Sequence, residues 1–350
     1  FLSALAMAAV LLAPFVLLDG GYFVYYGDYN AQQIPFYKTC IEAVQSGNLG
    51  WNWRTDLGAN FVGSYSFYTL GSPFFWFAAL FPVEISQYLM APLLALKIAC
   101  SSFFAFVYIR RFVTNPQHAL IGGLLYAFSG YSMYNIFFNH FHEAIVFFPL
   151  LLIGLEESVV NKRRGALAVA VAINAFVNYF FFIGECVFLV LYFVIRLIGD
   201  SRFRIGVKDF FCLAFEAVCG VLIAGVLFVP SIFQVLDVPR STSMLNGWDF
   251  LFYNKNQRYG LILEAMFFPG EVPARTIMFE KADSKWSSVA LFLPLFSLSG
   301  VLALVKGAST TASRRMKWLR ILIPACFVIT MIPGLNSSFV LFNYSFYTRW

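Results

Sequence analysis

The sequence predicts an all-α, polytopic membrane protein, and three observations carry that prediction. Of the 350 residues, 60% are apolar and only 12% charged, whereas an ordinary soluble domain carries about 25% charged residues. The apolar residues gather into runs near the ~20 residues that cross a bilayer as a helix. The basic residues gather into the short turns between those runs. The 43 Phe and 18 Tyr suit a lipid-facing and interfacial surface.

Residues 1–18 form the first span. No small-residue cleavage site follows and further spans do, so the run reads as an uncleaved span rather than a removed signal. The chain opens at Phe1 without Met and closes in an aromatic stretch at Trp350, as expected of a segment whose C-terminal portion lies beyond it.

Residues 19–72 make a long polar-aromatic external loop. Within it Ile34, Tyr37, Ile41 and Val44 recur at helical spacing, with Gln33, Lys38 and Glu42 off that stripe. Pro35 suits a first helical turn, and Gly47 and Gly50 mark the end. The expectation is an amphipathic juxtamembrane helix able to lie along the membrane. Residues 73–82 are too short to cross and read as interfacial or re-entrant.

The remaining spans follow at 85–109, 118–138, 144–155, 166–182, 186–198, 210–229, 286–305 and 321–332, about nine in all, with 230–285 as a second long external loop. Turns assigned to the inside carry 14 of the 24 Lys and Arg, while 230–285 holds six basic and six acidic residues and has no bias. The positive-inside rule then places Asp28, His140, His142 and Arg349 on the outer face and the basic turns in the cytoplasm. The whole chain reads as one transmembrane domain.

Several classes are excluded or unsupported. The net charge of +6 lies in turns, not in a basic track for a nucleic acid. Neither a Walker motif nor a Gly-x-Gly-x-x-Gly turn offers a nucleotide cradle. Five of the six cysteines sit in apolar runs and no Cys-x-x-Cys pair exists, so they read as buried small hydrophobes. His140, His142 and Glu143 form His-x-His-Glu, but alternate residues at a span end often simply hydrogen-bond at the interface, and a stable metal site wants three or four protein ligands. A divalent metal is compatible with them but not indicated, and no cofactor is expected.

Asp28 is the leading candidate for chemistry. It lies between Tyr25-Tyr26 and Gln32-Gln33, just before the amphipathic helix, whose positive end favours an anion. Its ordinary alternative is a helix cap. Lys97, Glu185 and Glu216 are charges within or at the edge of spans, where burial costs at least ~2.5 kcal/mol on insertion scales. Pairing of Lys97 with one of the two glutamates is the structural expectation. Glu185, near the outer end of its span, is also placed to join the site. Trp248, Tyr253, Tyr259 and Phe267-Phe268 in the second long loop offer aromatic platforms for sugar rings.

The Gly-Asp-x-x-x-Gln-x-x-Pro-Phe-Tyr pattern at Gly27 to Tyr37 resembles the bacterial YfhO family and, more broadly, the GT-C glycosyltransferases. Gly50-Trp51-Asn52-Trp53 with Gly58, the Asn139-His140-Phe141 turn and the closing Tyr347-Thr348-Arg349-Trp350 resemble the same family. The resemblance covers essentially the whole chain. It implies a GT-C-like helical core that transfers a sugar from a polyprenyl-phosphate donor to a cell-envelope polymer or glycolipid acceptor, such as lipoteichoic acid, at the outer face of the cytoplasmic membrane. It implies Asp28 as the base. Gln32 and Asn139 are then orienting residues, Arg349 and Arg54 candidate clamps for the donor phosphate, and His140, His142 and Glu185 further substrate-binding candidates. The rival readings are a transporter or flippase of a lipid-linked substrate, and an assembly protein without chemistry. Inverted repeats or paired broken helices would mark the transporter, and neither is visible in the sequence.

Overall fold

The computed structural model describes residues 1–25, 27–55, 57–237, 247–253, 257–267, 295–306 and 316–336. It is helical almost throughout, as expected of a polytopic membrane protein. Helix α1 (Leu2–Leu18) packs along α5 (Ser86–Ile109). Between them lie α2 (Ile34–Ser46), a hairpin of β1 (Trp51–Asn52) and β2 (Ala59–Asn60), and the short helices α3 (Phe61–Tyr65) and α4 (Pro73–Ala78). The hairpin is antiparallel, with Trp51 opposite Asn60 and Asn52 opposite Ala59.

α6 (Pro116–Ala127) returns along α5 and is followed by the short α7 (Gly130–Tyr134). α8 (Phe141–Val159) packs against α5 and against α9 (Ala166–Val177), which α11 (Val207–Asp237) covers in turn. α10 (Tyr179–Gly199) touches α8 and α9. Beyond α11 come α12 (Gln257–Phe267), α13 (Leu295–Lys306), α14 (Leu319–Met331) and α15 (Pro333–Asn336). Among the described residues, three segments are long and apolar enough to cross a membrane: Val83–Ile109, Tyr179–Gly199 and Val207–Phe233. α1, α9 and α14 are shorter apolar helices.

The expected juxtamembrane helix is α2. Tyr37 and Ile41 of the predicted stripe are buried, Pro35 sits in its first turn, and Gly47 closes it in the left-handed conformation at φ 70°. Its apolar face packs on α5, so the protein rather than lipid receives that stripe.

Elsewhere the boundaries move for identifiable reasons. The run at 118–138 is not one helix: Ser129 accepts a hydrogen bond from Ser132 N and starts α7, and a 3₁₀ turn follows at Asn135–Phe137. The break expected after residue 182 falls at Asn178, extended at φ −156°, whose side chain caps α10 by accepting from Phe181 N. Residues 73–82 contain only the short α4, with Pro73 in the first turn and Ser72 as its cap. The second long loop begins later than Pro230, because α11 carries that proline within it and runs on to Asp237. Of the run at 286–305, residues 286–294 lie outside the described residues.

Two apolar cores result. One joins α1, α2, α4 and α5 through Ala8, Tyr37, Phe75 and Leu94. The other joins α8, α9, α10 and α14 through Leu151, Val171, Ile195 and Leu322. Arg196, near the end of the run at 186–198, is buried in this second core. It meets Glu156 at 2.8 and 3.0 Å and Asp200 at 2.6 Å, with its guanidinium about 5 Å from the rings of Phe203 and Trp318. At the neighbouring turn, Arg164 at 2.6 Å and Lys162 at 3.1 Å pair with the Asp209 carboxylate.

Gly71 sits where the loop before α4 crosses the end of α9. A Cβ there would lie 2.2 Å from the Phe176 carbonyl oxygen and 2.6 Å from that of Val177, and backbone cannot yield as a side chain does. Gly71→Ala is expected to destabilise the fold by about 1–3 kcal/mol or more, the scale of overpacking. Gly206→Ala, which meets nothing within 4 Å, is the control. Thermal unfolding of both variants in detergent checks the expectation, and equal stabilities would refute the close approach.

Candidate functional site

The segment between α1 and α3 and the turn between α7 and α8 meet around a buried polar cluster. Asp28, half-buried, opens a π-helical turn at Tyr29–Gln33 that runs straight into α2. Its side chain makes no capping hydrogen bond, so the cap reading does not account for it. The preceding Gly27 lies against Phe137, whose ring would be 3.4 Å from a Cβ at that position. One turn on, Gln32 and Gln33 join the Asn139–His140 turn. Gln33 Nε2 donates to Gln32 Oε1 at 3.1 Å, Gln32 Nε2 reaches the Tyr68 hydroxyl at 3.5 Å, and Gln33 Oε1 lies 3.0 Å from His140 Nδ1. The loop carrying Asp28 is thus held at two points by the second turn.

Beneath this contact lies an ion pair that sequence reasoning placed differently. Lys97, in the middle of α5, was expected to meet Glu185 or Glu216. It meets Glu143 at 2.7 Å, with both side chains buried. Lys97 Nζ also donates to Asn139 through its carbonyl oxygen at 3.2 Å and Oδ1 at 3.1 Å. Ser72 completes the cluster, donating to Glu143 Oε1 at 2.5 Å while accepting from Phe75 N. The Tyr37 phenol is buried against the same groups. Burial, and then the Glu143 charge, hold its pKa well above the usual value, so it stays a neutral hydroxyl.

His140 and His142 diverge. His140 faces Gln33, with its ring 4.6 Å from Phe67 and 4.8 Å from Tyr68 between centroids. His142 turns inward to the backbone of Ser132 and Asn135. Among the described residues, no three His, Cys, Asp or Glu side chains gather as a metal would require. The aromatic platform beside the cluster is Phe36, Phe67, Tyr68 and Tyr179. The sequence reading looked for one in the second long loop, where Trp248 is exposed, Tyr253 donates to Thr330 O, and Phe268 lies outside the described residues.

The remaining candidates separate from this cluster. Arg54 projects from the hairpin turn, 83% exposed, and meets Glu42 at 3.4 Å, away from Gln33 and His140. Glu185 is buried in the second turn of α10, where its Oε2 has no hydrogen-bond partner among the described residues. Glu216 accepts a hydrogen bond from the Ser158 hydroxyl at 3.4 Å, near the end of α8. Arg349 lies outside the described residues. Gln33, Ser72 and Glu143 are the residues that sequence reasoning left out of its site. Of these only Glu143 carried a signal, as the acid ending His-x-His-Glu.

A protein-family model described as "Bacterial membrane protein YfhO" matches residues 1–270. No curated protein and no solved structure gives a significant match.

Removing one member of a buried ion pair strands the other charge and typically costs about 3–5 kcal/mol, whereas replacing both by apolar groups is often neutral. Lys97→Met alone is therefore expected to unfold far more readily than Lys97→Met/Glu143→Leu. Chemical denaturation in detergent reads the difference. A single variant as stable as the double would mean that the two charges are not coupled.

Proposed function

The chain belongs to the YfhO family of bacterial membrane proteins, and from that premise we propose that it is a membrane glycosyltransferase. It takes a sugar from a polyprenyl-phosphate donor and passes it to a cell-envelope acceptor such as lipoteichoic acid, at the outer face of a multi-pass cytoplasmic-membrane protein. The observation that supports this most is the uncapped, half-buried Asp28 on a turn pinned to the Asn139–His140 turn.

The chemistry asks little more of the protein than position and charge. The acceptor hydroxyl gives its proton to the Asp28 carboxylate as its oxygen forms a bond to C1 of the sugar. The C1–O bond to phosphate breaks, and the lipid phosphate leaves with the electron pair. One base suffices because phosphate is a competent leaving group once its charge is met. Gln32 orients the acceptor from the turn it shares with Asp28, while the His140, Phe67 and Tyr68 rings offer faces for the sugar. Asn139, held by Lys97, fixes the opposite wall. Arg349 remains the proposed phosphate clamp, because its planar fork grips a phosphate better than an ammonium does.

Asp28→Asn keeps the shape and removes the base, so transfer from a polyprenyl-phosphate sugar in proteoliposomes is expected to fall by about 10²–10⁴-fold. A near wild-type rate would leave Asp28 without a catalytic part. The sidedness has its own test. A cysteine at the exposed Asn48 is expected to react with a membrane-impermeant maleimide in intact cells. Labelling only after permeabilisation would invert the topology.

A further inference from the structure

The hairpin after α2 has its pattern inside out. Trp51, Trp53 and Leu57 are 53%, 76% and 95% exposed, while the polar Asn52 and Thr55 between them are buried. Asn52 Oδ1 accepts from Arg54 N at 2.8 Å, and the Thr55 hydroxyl meets that of Tyr65 at 2.9 Å. Polar groups therefore fasten the hairpin to α3, and its large apolar groups face outward. A hairpin standing in water would show the reverse arrangement.

That exposure is built into the backbone. Gly58, at φ +120°, leaves space for both indoles: a Cβ there would meet Trp51 at 2.9 Å and Trp53 at 3.0 Å. The two rings pack edge to face, 5.7 Å apart. Leu57 holds φ 66°, a conformation that costs a branched residue more than it costs Gly or Asn. A leucine thus stands at the tip where the backbone would favour a small or polar residue.

The depth of the hairpin follows from Gln45, in the last turn of α2. Its Nε2 donates to the carbonyl oxygens of Ala79 at 3.0 Å and Phe81 at 2.7 Å, and the membrane-crossing segment Val83–Ile109 begins just beyond. The end of α2 is therefore tied to the level at which α5 enters the bilayer, and the hairpin starts six residues after Gln45. Leu80, 79% exposed, and Phe77 continue the apolar surface at that level.

We infer that the Trp51–Trp53–Leu57 face of this hairpin inserts into the headgroup–acyl boundary of the leaflet where α5 begins. Tryptophan concentrates at that boundary because the indole is apolar with one polar edge. Leu57 favours lipid over a saccharide, since sugar rings stack on aromatic faces and gain little from an isobutyl group. Arg54, on the same turn, is in place for lipid phosphates, because its exposed pair with Glu42 is weak enough to exchange. The insertion holds the first external loop down on the bilayer, and the inference stands whether or not the protein transfers sugars.

Spin labelling tests it on the full chain. Leu57→Cys, in a background with the six native cysteines replaced by alanine, is labelled with a nitroxide and reconstituted into phosphatidylethanolamine–phosphatidylglycerol vesicles. The label is expected to be relaxed more strongly by oxygen, which partitions into lipid, than by a water-soluble nickel chelate. Dominance of the chelate would put the hairpin in water, free for a glycan or protein partner, and would overturn the inference. Low access to both reagents would show cover by protein, another part of this chain or a second copy, and would overturn it equally. If the cysteine-free background does not fold, fluorescence quenching by acyl-brominated phosphatidylcholine decides instead. The native chain is expected to lose a larger share of its emission than Trp51→Phe/Trp53→Phe, and equal fractional quenching would count against insertion.

Discussion

Lys97 lies in the middle of a segment apolar enough to cross a membrane, fully enclosed by protein, and its ammonium must be matched there. Glu143 supplies the opposite charge, and both oxygens of Asn139 take further protons of the ammonium. Meeting that requirement fixes much else. Glu143 sits in the first turn of α8 and Asn139 just before it, so the start of α8 is locked to the midpoint of α5. Ser72 holds Glu143 Oε1 with the same hydroxyl that caps α4, which sets the register of the short helix as well. His140 then follows Asn139 to meet Gln33, and through Gln33 the constraint reaches the turn that begins at Asp28. A pair of this kind is weak evidence for net stability, because desolvating two charges costs much of what their attraction returns. Its effect here is on geometry: few arrangements of three helices satisfy one buried ammonium.

The chain holds a second buried charge cluster, and the contrast is informative. Each guanidinium nitrogen of Arg196 has a carboxylate partner, two contacts going to Glu156 and one to Asp200, with aromatic faces around it. Tyr108 and Tyr192 extend it through their hydroxyls to Glu156. That arrangement joins α8, α10 and the start of α14 and has the closed character of a structural clasp. In the Lys97 cluster Glu143 Oε2 and His142 Nε2 are buried without a hydrogen-bond partner among the described residues, as is Trp318 Nε1 beside Arg196. The Lys97 cluster adjoins His140, which meets Gln33 on the turn that begins at Asp28 and packs on the Phe67 and Tyr68 rings. Both clusters hold helices together, and the Lys97 cluster does so beside the turn through which His140 meets Gln33.

Much of the fold was legible because it rests on local signals. The stripe of Ile34, Tyr37, Ile41 and Val44, with Pro35 before and Gly47 after, specifies α2 without reference to the rest of the chain. The failures occur where tertiary partners decide. Hydropathy cannot see that Ser129 caps a new helix inside a continuous apolar run, because a serine hydroxyl barely lowers the average. The charge on Lys97 announced a buried partner, but hydropathy ranks glutamates by their place in spans, and Glu143 sits at a span's edge within a polar turn. An arginine near the end of an apolar run, such as Arg196, does not show from its position whether it is solvated or boxed by Phe112, Phe203 and Trp318. Gln33 was set aside as the polar side of an amphipathic helix, yet it is buried, because the surface it faces is another polar turn.

The segment from Gly27 to Tyr37 shows how a short pattern becomes a site. Proline has no N–H, so Pro35 cannot donate to Ala31 O in the ordinary i−4 register. The turn before it is the wider π form instead, with Ile34 N bonded to Tyr29 O. Single π turns are rare and concentrate at functional sites. Here the widening falls between Asp28 and α2, over Gln32 and Gln33, the two amides that reach across to Tyr68 and His140. Phe36 then packs edge to face on Tyr65 and Tyr68, and Tyr37 enters the Lys97–Glu143 cluster. The spacing from aspartate to glutamine to proline therefore has a physical reading. The proline sets the register of the turn, the register aims the amides, and the amides hold the carboxylate's loop beside the imidazole.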